Sequence, residues 1–241
     1  MRIPRIFTDN PLNAGQAVII DGPAANHLSR VLRLTAGHPV ILFNGKGGHY
    51  PANITDISKK AVTLLPGERS DSNNESPLET HIAIGVSKGD KMDLIVQKAT
   101  ELGVTSITPL LTQRTDVKLN AERWQKKHGH WQQVAISACE QSTRDTLPKI
   151  HSPVRFSEWI QTTQQGLTGI CHPENGQSLA ALDAQESITL AFGSEGGFTD
   201  EEVAEATKNH ALTIGLGPRV LRAETAPLAA LAICQNLWGD I

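Results

Sequence analysis

In the larger, C-terminal part of the chain, short apolar runs alternate with stretches in which apolar residues recur at helical spacing. The runs predict buried strands at residues 82–86, 107–111, 169–172, 188–192 and 212–216. The helical spacing predicts helices over residues 92–102, 121–142 and 227–237, and a further helix that opens at a capping box in residues 199–202. Strands that alternate with helices predict a mostly parallel sheet covered on both faces.

The first 70 residues follow a different pattern. Three β-like runs at residues 17–20, 39–43 and 61–65 are separated by turn formers, with one helical stretch at residues 24–34. This pattern predicts a small β-barrel. Residues 66–79 are rich in turn formers and contain one apolar residue, Leu78, which predicts a linker. The predicted domains are residues 1–72 and 73–241.

Composition indicates a globular protein of a reducing compartment. With 241 residues and 39% hydrophobic residues, the chain can build a core without disulfides. The three cysteines are scattered and form no C-x-x-C pair. The N-terminus lacks an apolar signal region, and no stretch approaches the roughly 20 apolar residues that span a bilayer. We therefore expect a soluble, cytoplasmic protein.

The charge is distributed unevenly along the chain. Residues 1–70 carry eight Lys or Arg and four Asp or Glu (+4), and the remaining residues carry 14 basic and 21 acidic side chains (−7). A net charge of −3 argues weakly against a nucleic-acid partner. A basic N-terminal module can nevertheless attract RNA locally, because screening confines electrostatic fields to about 10 Å.

Two glycine-bearing segments carry the candidate chemistry. Residues 193–199, GSEGGFT, are called the glycine loop, and residues 216–226, LGPRVLRAETA, are called the arginine loop. Each follows a predicted strand and precedes a predicted helix, and ligands of open α/β sheets bind at such strand ends. The glycine loop suits a phosphate or a carboxylate, although it matches neither a P-loop nor the dinucleotide fingerprint. Tight turns without a ligand, and a surface pair between Arg222 and Glu224, are the structural alternatives.

These residues resemble the C-terminal signature of the RsmE family of SPOUT-class RNA methyltransferases. Further matches occur in the same order as in that family, at residues 91–93 (KMD), 97–104 (QKATELGV), 107–110 (ITPL), 138–142 (ACEQS) with Arg144, and His27 with 30–33 (RVLR). The resemblance implies a PUA-like β-barrel followed by an α/β SPOUT domain with a C-terminal trefoil knot, within about residues 168–241. It also implies a homodimer that uses S-adenosylmethionine (SAM) to methylate N3 of a uridine in 16S ribosomal RNA of the small subunit.

The same resemblance assigns the candidate site. The residues expected to hold SAM are His172, Gly193, Glu195, Gly196, Gly197, Leu216, Gly217, Val220, Leu221 and Arg222. We expect Arg222 to stabilise negative charge on the uracil, and Glu224 or Glu195 to accept the N3 proton or to hold the arginine. Either carboxylate could instead be structural. The chain departs from the family at Ser194, usually Pro, which is expected to loosen the glycine loop, and at Ala223, usually Thr.

A basic surface is the candidate for RNA contact. Its expected members are Arg2, Arg5, Arg30, Arg33, Lys88, Lys91, Arg114, Lys118, Lys126 and Lys127. No His, Cys or acidic residues show metal-ligand spacing, so no metal is expected. Methylation of another RNA or of a ribose 2′-hydroxyl, and a noncatalytic RNA-binding assembly factor, are the alternative functions. A phosphate-binding enzyme that uses the glycine loop is a third alternative, but it would need a lysine or metal ligand near that loop, and the sequence offers none.

Overall fold

The computed structural model describes residues 3–117, 120–162, 164, 166–174 and 176–241. The chain divides into two compact units. The first comprises Met1–Glu75 and Cys139–Leu147, and the second comprises Ser76–Ala138 and Pro148–Ile241.

The first unit is built on one five-stranded sheet. Its strands are β1 (Arg5–Phe7), β2 (Val18–Asp21), β3 (Pro39–Phe43), β4 (Tyr50–Ile57) and β5 (Ala61–Pro66), in the order β1-β3-β4-β5-β2. Only β1 and β3 are parallel; the other neighbouring strands are antiparallel. Helix α1 (Gly22–Asn26) continues into a π-helical turn (His27–Val31), and Leu28 of this turn is fully buried with the sheet residues.

The three strands predicted in this region are confirmed, whereas β1 and β4 were not predicted. Strand β4 contains Pro51, Asn53 and Asp56, residue types that are depleted in strands and that mask the alternating burial. The helical stretch predicted to reach residue 34 ends at Val31. Arg33 adopts a left-handed backbone conformation (φ +54°), which a helix cannot continue through.

The segment Cys139–Leu147, which the sequence places in the second domain, belongs to the first unit. Asp145 explains this, because it is buried and accepts hydrogen bonds from Arg5, Ser72 and His49. Burial disfavours its charged form, but these bonds outweigh burial and lower the pKa of Asp145 below its usual value. Arg144 pairs with Glu75 at 2.7 Å in the same unit.

The ion pair between Arg5 and Asp145 also corrects one expectation about RNA contact. The Arg5 side chain is only 6% exposed and lies over the Phe43 ring, 5.2 Å from its centroid. Its guanidinium is therefore occupied inside the first unit, and Arg5 is not part of an exposed basic surface.

The second unit contains the predicted parallel sheet. Its strands are β6 (Glu79–Gly85), β7 (Ser106–Leu111), β8 (Lys149–Ile150), β9 (Val154–Arg155), β10 (Leu167–Cys171), β11 (Ser187–Phe192) and β12 (Leu212–Ile214). Their order is β12-β10-β11-β6-β7-β8, with β9 also on β7, and every pairing is parallel. The helices are α2 (Lys91–Glu101), α3 (Ala121–Ser142), α4 (Phe156–Trp159), α5 (Asp200–Lys208) and α6 (Thr225–Trp238). The last four residues of α3 belong to the first unit. In the part of the chain that the structure describes, no helix has both the length and the hydrophobicity needed to cross a bilayer.

Both faces of this sheet are buried. On β6, Ile82 and Ile84 join one core cluster, whereas Ala83 between them joins a second. On β11, Leu190 and Phe192 join the first cluster and Ala191 joins the second. Because successive strand residues point to opposite faces, this division places a core on each side, as the alternation of strands and helices predicts.

The long helix α3 offers a test of backbone entropy. A Cβ atom built on Gly129 has no neighbouring atom within 4 Å, and the residue lies in the middle of the helix. We expect Gly129→Ala to increase the free energy of unfolding by about 0.5–1 kcal/mol, because glycine loses more backbone freedom than alanine. Chemical denaturation followed by circular dichroism measures this change.

Gly89 provides the contrasting substitution. A Cβ atom there also meets open space, but its backbone is left-handed (φ +66°). Gly89→Ala should therefore destabilise the protein. Equal effects of the two substitutions would show that backbone conformation does not govern these sites.

Candidate active site

A cavity of about 560 Å³ lies in the second unit, at the carboxyl ends of the parallel strands. Three of its walls follow β10, β11 and β12, and the segments after β6 and β7 contribute Lys91 and Arg114. The wall residues are Lys91, Arg114, Cys171, His172, Pro173, Phe192, Gly193, Ser194, Glu195, Gly196, Gly197, Phe198, Ile214, Leu216, Gly217, Arg219, Val220, Leu221, Arg222, Ala223 and Ala226. The glycine loop and the arginine loop therefore border one space.

The glycine loop folds back on itself between β11 and α5. The Gly197 amide donates to the Ser194 carbonyl at 2.8 Å, and Gly197 is left-handed (φ +70°). The predicted capping box is confirmed. The Thr199 hydroxyl accepts from the Glu202 amide at 3.2 Å, and the Glu202 carboxylate accepts from the Thr199 amide at 2.9 Å. The loop thus enters a helix N-terminus, which favours negative charge.

Arg114 and Ser194 hold the glycine loop in place. One guanidinium nitrogen of Arg114 donates to the carbonyls of Gly196 at 2.8 Å and Phe198 at 3.0 Å. In return, the Ser194 hydroxyl donates to the Arg114 carbonyl at 3.0 Å. Ser194 is buried, so it forms a side-chain bond that proline could not make, and this bond opposes the expected loosening.

Removal of this hydroxyl should be measurable without any ligand. In Ser194→Ala, we expect exchange of the Gly197 amide, which donates to the Ser194 carbonyl, to become about fivefold faster, because one buried hydrogen bond contributes about 1 kcal/mol. Mass spectrometry of exchanged peptides measures the rate. Ser152→Ala, at an exposed position away from the cavity, is the control. Unchanged exchange in Ser194→Ala would contradict a holding role for the hydroxyl.

The arginine loop leaves its main chain available. The backbone N–H and C=O groups of residues 216–221 form no hydrogen bond with any described residue. Its end is anchored, because the Arg222 carbonyl accepts from the amides of Thr225 at 2.9 Å and Ala226 at 3.0 Å at the start of α6. Val220 is 82% exposed.

The charged groups of the arginine loop do not pair with each other. The Arg222 side chain is exposed and has no ion pair with the described residues, so the alternative of an Arg222–Glu224 surface pair is wrong. Glu224 instead faces Lys91, whose Nζ lies 4.0 Å from Glu224 Oε2. Glu224 is not among the wall residues.

Lys91 also binds the glycine loop. Its Nζ donates to Glu195 Oε1 at 3.0 Å, and the Lys88 amide donates to the same oxygen at 3.2 Å. Partial burial favours the neutral form of Glu195, but these donors outweigh burial and lower the pKa of Glu195 below its usual value. Glu195 is therefore ionised at neutral pH.

The structure brings together all ten residues predicted to hold the cofactor. His172, Gly193, Glu195, Gly196, Gly197, Leu216, Gly217, Val220, Leu221 and Arg222 each line the cavity. Lys91 and Arg114, predicted only as RNA contacts, also lie on its wall and bond to the glycine loop. No spacing in the sequence could have revealed these two contacts, because each joins segments more than 80 positions apart.

The remaining basic residues lie in varied surroundings. Arg30 and Arg33 are exposed, Lys88 pairs with Asp116 at 2.7 Å, and Lys126 pairs with Glu122 at 2.8 Å. Lys127 lies over the Trp131 ring. Arg2 and Lys118 fall outside the described residues.

Two family models match most of the chain. Residues 74–235 match an RNA methyltransferase domain, and residues 20–66 match an RNA methyltransferase PUA domain. The chain is 33% identical to the ribosomal RNA small subunit methyltransferase E of Buchnera aphidicola subsp. Acyrthosiphon pisum, over 99% of this chain and 95% of that protein.

Two solved structures are similar over their full length. A methyltransferase from Legionella pneumophila in complex with SAM has a TM-score of 0.96 and 36% identity, covering 100% of both chains. The ribosomal RNA small subunit methyltransferase E of Neisseria gonorrhoeae bound to SAM has a TM-score of 0.93 and 34% identity, covering 100% of both chains. With matches of this extent in sequence, domain order and structure, the chain belongs to the ribosomal RNA small subunit methyltransferase E family.

Proposed function

We propose that this protein transfers a methyl group from SAM to N3 of a uridine in the 16S ribosomal RNA of the small subunit. The observation that carries the proposal is a cavity that both the glycine loop and the arginine loop border. Two relatives with 34% and 36% identity over their full length have structures with SAM bound.

The cavity suits SAM in size and chemistry. Its volume of about 560 Å³ lies within the usual range for small-molecule sites. Ile214, Leu216 and Leu221 provide an apolar wall for an adenine ring, and the main chain of residues 216–221 offers donors and acceptors that have no other described partner. When bound, SAM supplies an electrophilic methyl group on a sulfonium.

The protein's own residues then accept the N3 proton of the uracil and stabilise the resulting negative charge. N3 must lose its proton to attack, so the site needs a proton acceptor and a group that stabilises the uracil anion. Arg222, exposed and without an ion pair among the described residues, stabilises negative charge on a uracil oxygen. The two candidate proton acceptors are Glu195 and Glu224. Glu195 is ionised and lines the cavity, and Glu224 Oε2 lies 4.0 Å from Lys91 Nζ.

RNA recognition follows from the position of the reacting atom. N3 lies on the Watson–Crick edge, so the uridine must be unpaired or extruded before it reacts. We assign RNA contact to the exposed basic side chains Arg30 and Arg33 of the first unit and Lys88 of the second. Arg2 and Lys118 remain expected contacts from the sequence.

We also propose a homodimer, and exposed apolar residues support it. Ile233 and Leu237 lie one turn apart on α6 and are exposed, as is Ile241 beyond it.

The proposal also covers the fold of the two units: the five-stranded sheet closes into a PUA-like barrel, and residues 168–241 contain a trefoil knot. The knot is supported by β12, which returns to pair with β10 after β11 has paired on the other side. Three unpaired cysteines are compatible with a cytoplasmic location.

Methyl transfer from labelled SAM to unmodified small ribosomal subunits tests the function. After nuclease digestion, we expect the label in 3-methyluridine. Label on a ribose 2′-hydroxyl or on another RNA would replace the proposed reaction with a different methylation. RNA binding without SAM binding or label would instead indicate a noncatalytic assembly factor.

A further inference from the structure

We propose that Lys91 is a positioning residue that joins the glycine loop to the arginine loop through Glu195 and Glu224, and that the affinity for SAM depends on this bridge. The inference rests on the proposed function only in naming SAM as the ligand. The bridge itself can be tested in the ligand-free protein.

The bridge is defined by two distances from one nitrogen atom. Lys91 Nζ lies 3.0 Å from Glu195 Oε1 and 4.0 Å from Glu224 Oε2. The side chains of Lys91, Glu195 and Glu224 are 34%, 38% and 18% exposed. One ammonium group therefore stands between carboxylates of the two loops that border the cavity.

The backbone of Lys91 is held by packing of the helix that follows it. It is the first residue of α2, and Met92, Ile95 and Val96, which follow it, are buried in the core. A helix fixed by such packing holds the start of the lysine side chain in place. Lys91 therefore reaches both loops from a helix that is fixed in the core.

The glycine loop and the arginine loop depend on Lys91 unequally. The glycine loop has other attachments, since the Lys88 amide also donates to Glu195 and Arg114 donates to two of its carbonyls. Residues 216–221 of the arginine loop have no main-chain hydrogen bonds to described residues. Among main-chain hydrogen bonds between described residues, this loop is held at its end alone, by the bonds from Thr225 and Ala226 to the Arg222 carbonyl. The bridge through Glu224 is therefore the more important half.

The chemistry of Glu224 leads to the same conclusion. Its Oε2 atom is buried and has no hydrogen-bond donor among the described residues, so the nearby ammonium compensates its charge. The pair is partly exposed, so its loss should cost more than the loss of a surface ion pair and less than the loss of a fully buried one. Removal of Lys91 should thus displace Glu224 and, with it, the arginine loop.

Isothermal titration calorimetry with SAM tests the bridge. We expect Lys91→Met to weaken SAM binding about tenfold, and Lys91→Arg, which keeps the charge, to weaken it less than about threefold. Lys98→Met is the matched control, because Lys98 lies on the same helix and pairs with Glu101 away from the cavity. Its affinity should equal that of the wild type.

A double-mutant cycle separates a bridge from a direct contact with SAM. If Lys91 acts through Glu224, Lys91→Met should have an effect of about twofold or less in a Glu224→Gln background. A full tenfold effect in that background would overturn the proposal. If Lys91→Met does not fold, Glu224→Gln alone carries the test, since it should weaken binding in the folded protein and an unchanged affinity would again overturn the bridge.

Amide hydrogen exchange in the ligand-free protein distinguishes failure of the inference from failure of the proposed function. Lys91→Met should exchange the amides of Thr225 and Ala226, which donate to the Arg222 carbonyl beside Glu224, about fivefold faster than Lys98→Met. Faster exchange with a wild-type protein that binds no SAM would support the bridge and remove the proposed cofactor. Unchanged exchange with normal SAM binding would remove the bridge alone.

Discussion

Arg222→Ala should reduce methyl transfer by about 100- to 1,000-fold, which is the usual effect of removing one group that stabilises developing negative charge. The affinity for SAM should change by less than about threefold, because in the proposed site the main chain of the arginine loop, and not the Arg222 guanidinium, contacts SAM. Single-turnover transfer of labelled methyl to unmodified small subunits measures the rate, and calorimetry measures the affinity.

Two further variants serve as comparisons for Arg222→Ala. Arg155→Ala removes an exposed arginine that pairs with Glu158 and does not line the cavity, so its rate should match the wild type. Arg222→Lys keeps the charge but loses the planar fork, and should restore only part of the rate. A normal rate in Arg222→Ala would exclude the guanidinium from catalysis. A loss of SAM affinity as large as the loss of rate would instead assign Arg222 to cofactor binding.

The convergence of the two loops could be predicted because it follows from local patterns. Apolar runs alternating with helical spacing specify parallel strands, and the carboxyl ends of parallel strands meet at one edge of a sheet. Glycine-bearing segments after β11 and β12 must therefore lie near each other, although β10 separates these two strands in the sheet. The capping box at Thr199 was equally predictable, since both of its hydrogen bonds join residues three positions apart.

The contacts that hold the site could not be predicted in the same way. Lys91 and Arg114 looked like surface cations, because the sequence contains no information on which distant carboxylate or carbonyl each one faces. The basic charge of Arg5 was likewise misleading, since Asp145 lies 140 positions away in the chain and buries it. The local pattern supplied the two loops and the resemblance supplied the family, whereas the three-dimensional structure alone supplied these partners.

Gly193→Ala should abolish measurable SAM binding, with a loss of at least about 100-fold, because the glycine loop cannot close over an added methyl group. A Cβ atom on Gly193 would lie 2.5 Å from the Gly197 carbonyl carbon and 2.8 Å from the Phe198 nitrogen. Both are backbone atoms, and the Phe198 ring is buried with its centroid 5.1 Å from that of Phe156. The backbone opposite Gly193 therefore has no room to retreat.

Gly196→Ala, in the same loop, is the matched comparison. A Cβ atom there would lie 3.0 Å from Cβ and 3.3 Å from Cδ of the Arg114 side chain. These contacts are longer than those at Gly193 and need a shift of only a few tenths of an ångström, so we expect SAM affinity to fall less than about tenfold. Calorimetry on both variants, with circular dichroism to confirm folding, measures the difference. Equal losses would mean that both glycines serve close approach to the ligand, whereas a large loss confined to Gly193→Ala would mean that the first glycine serves the fold of the loop itself.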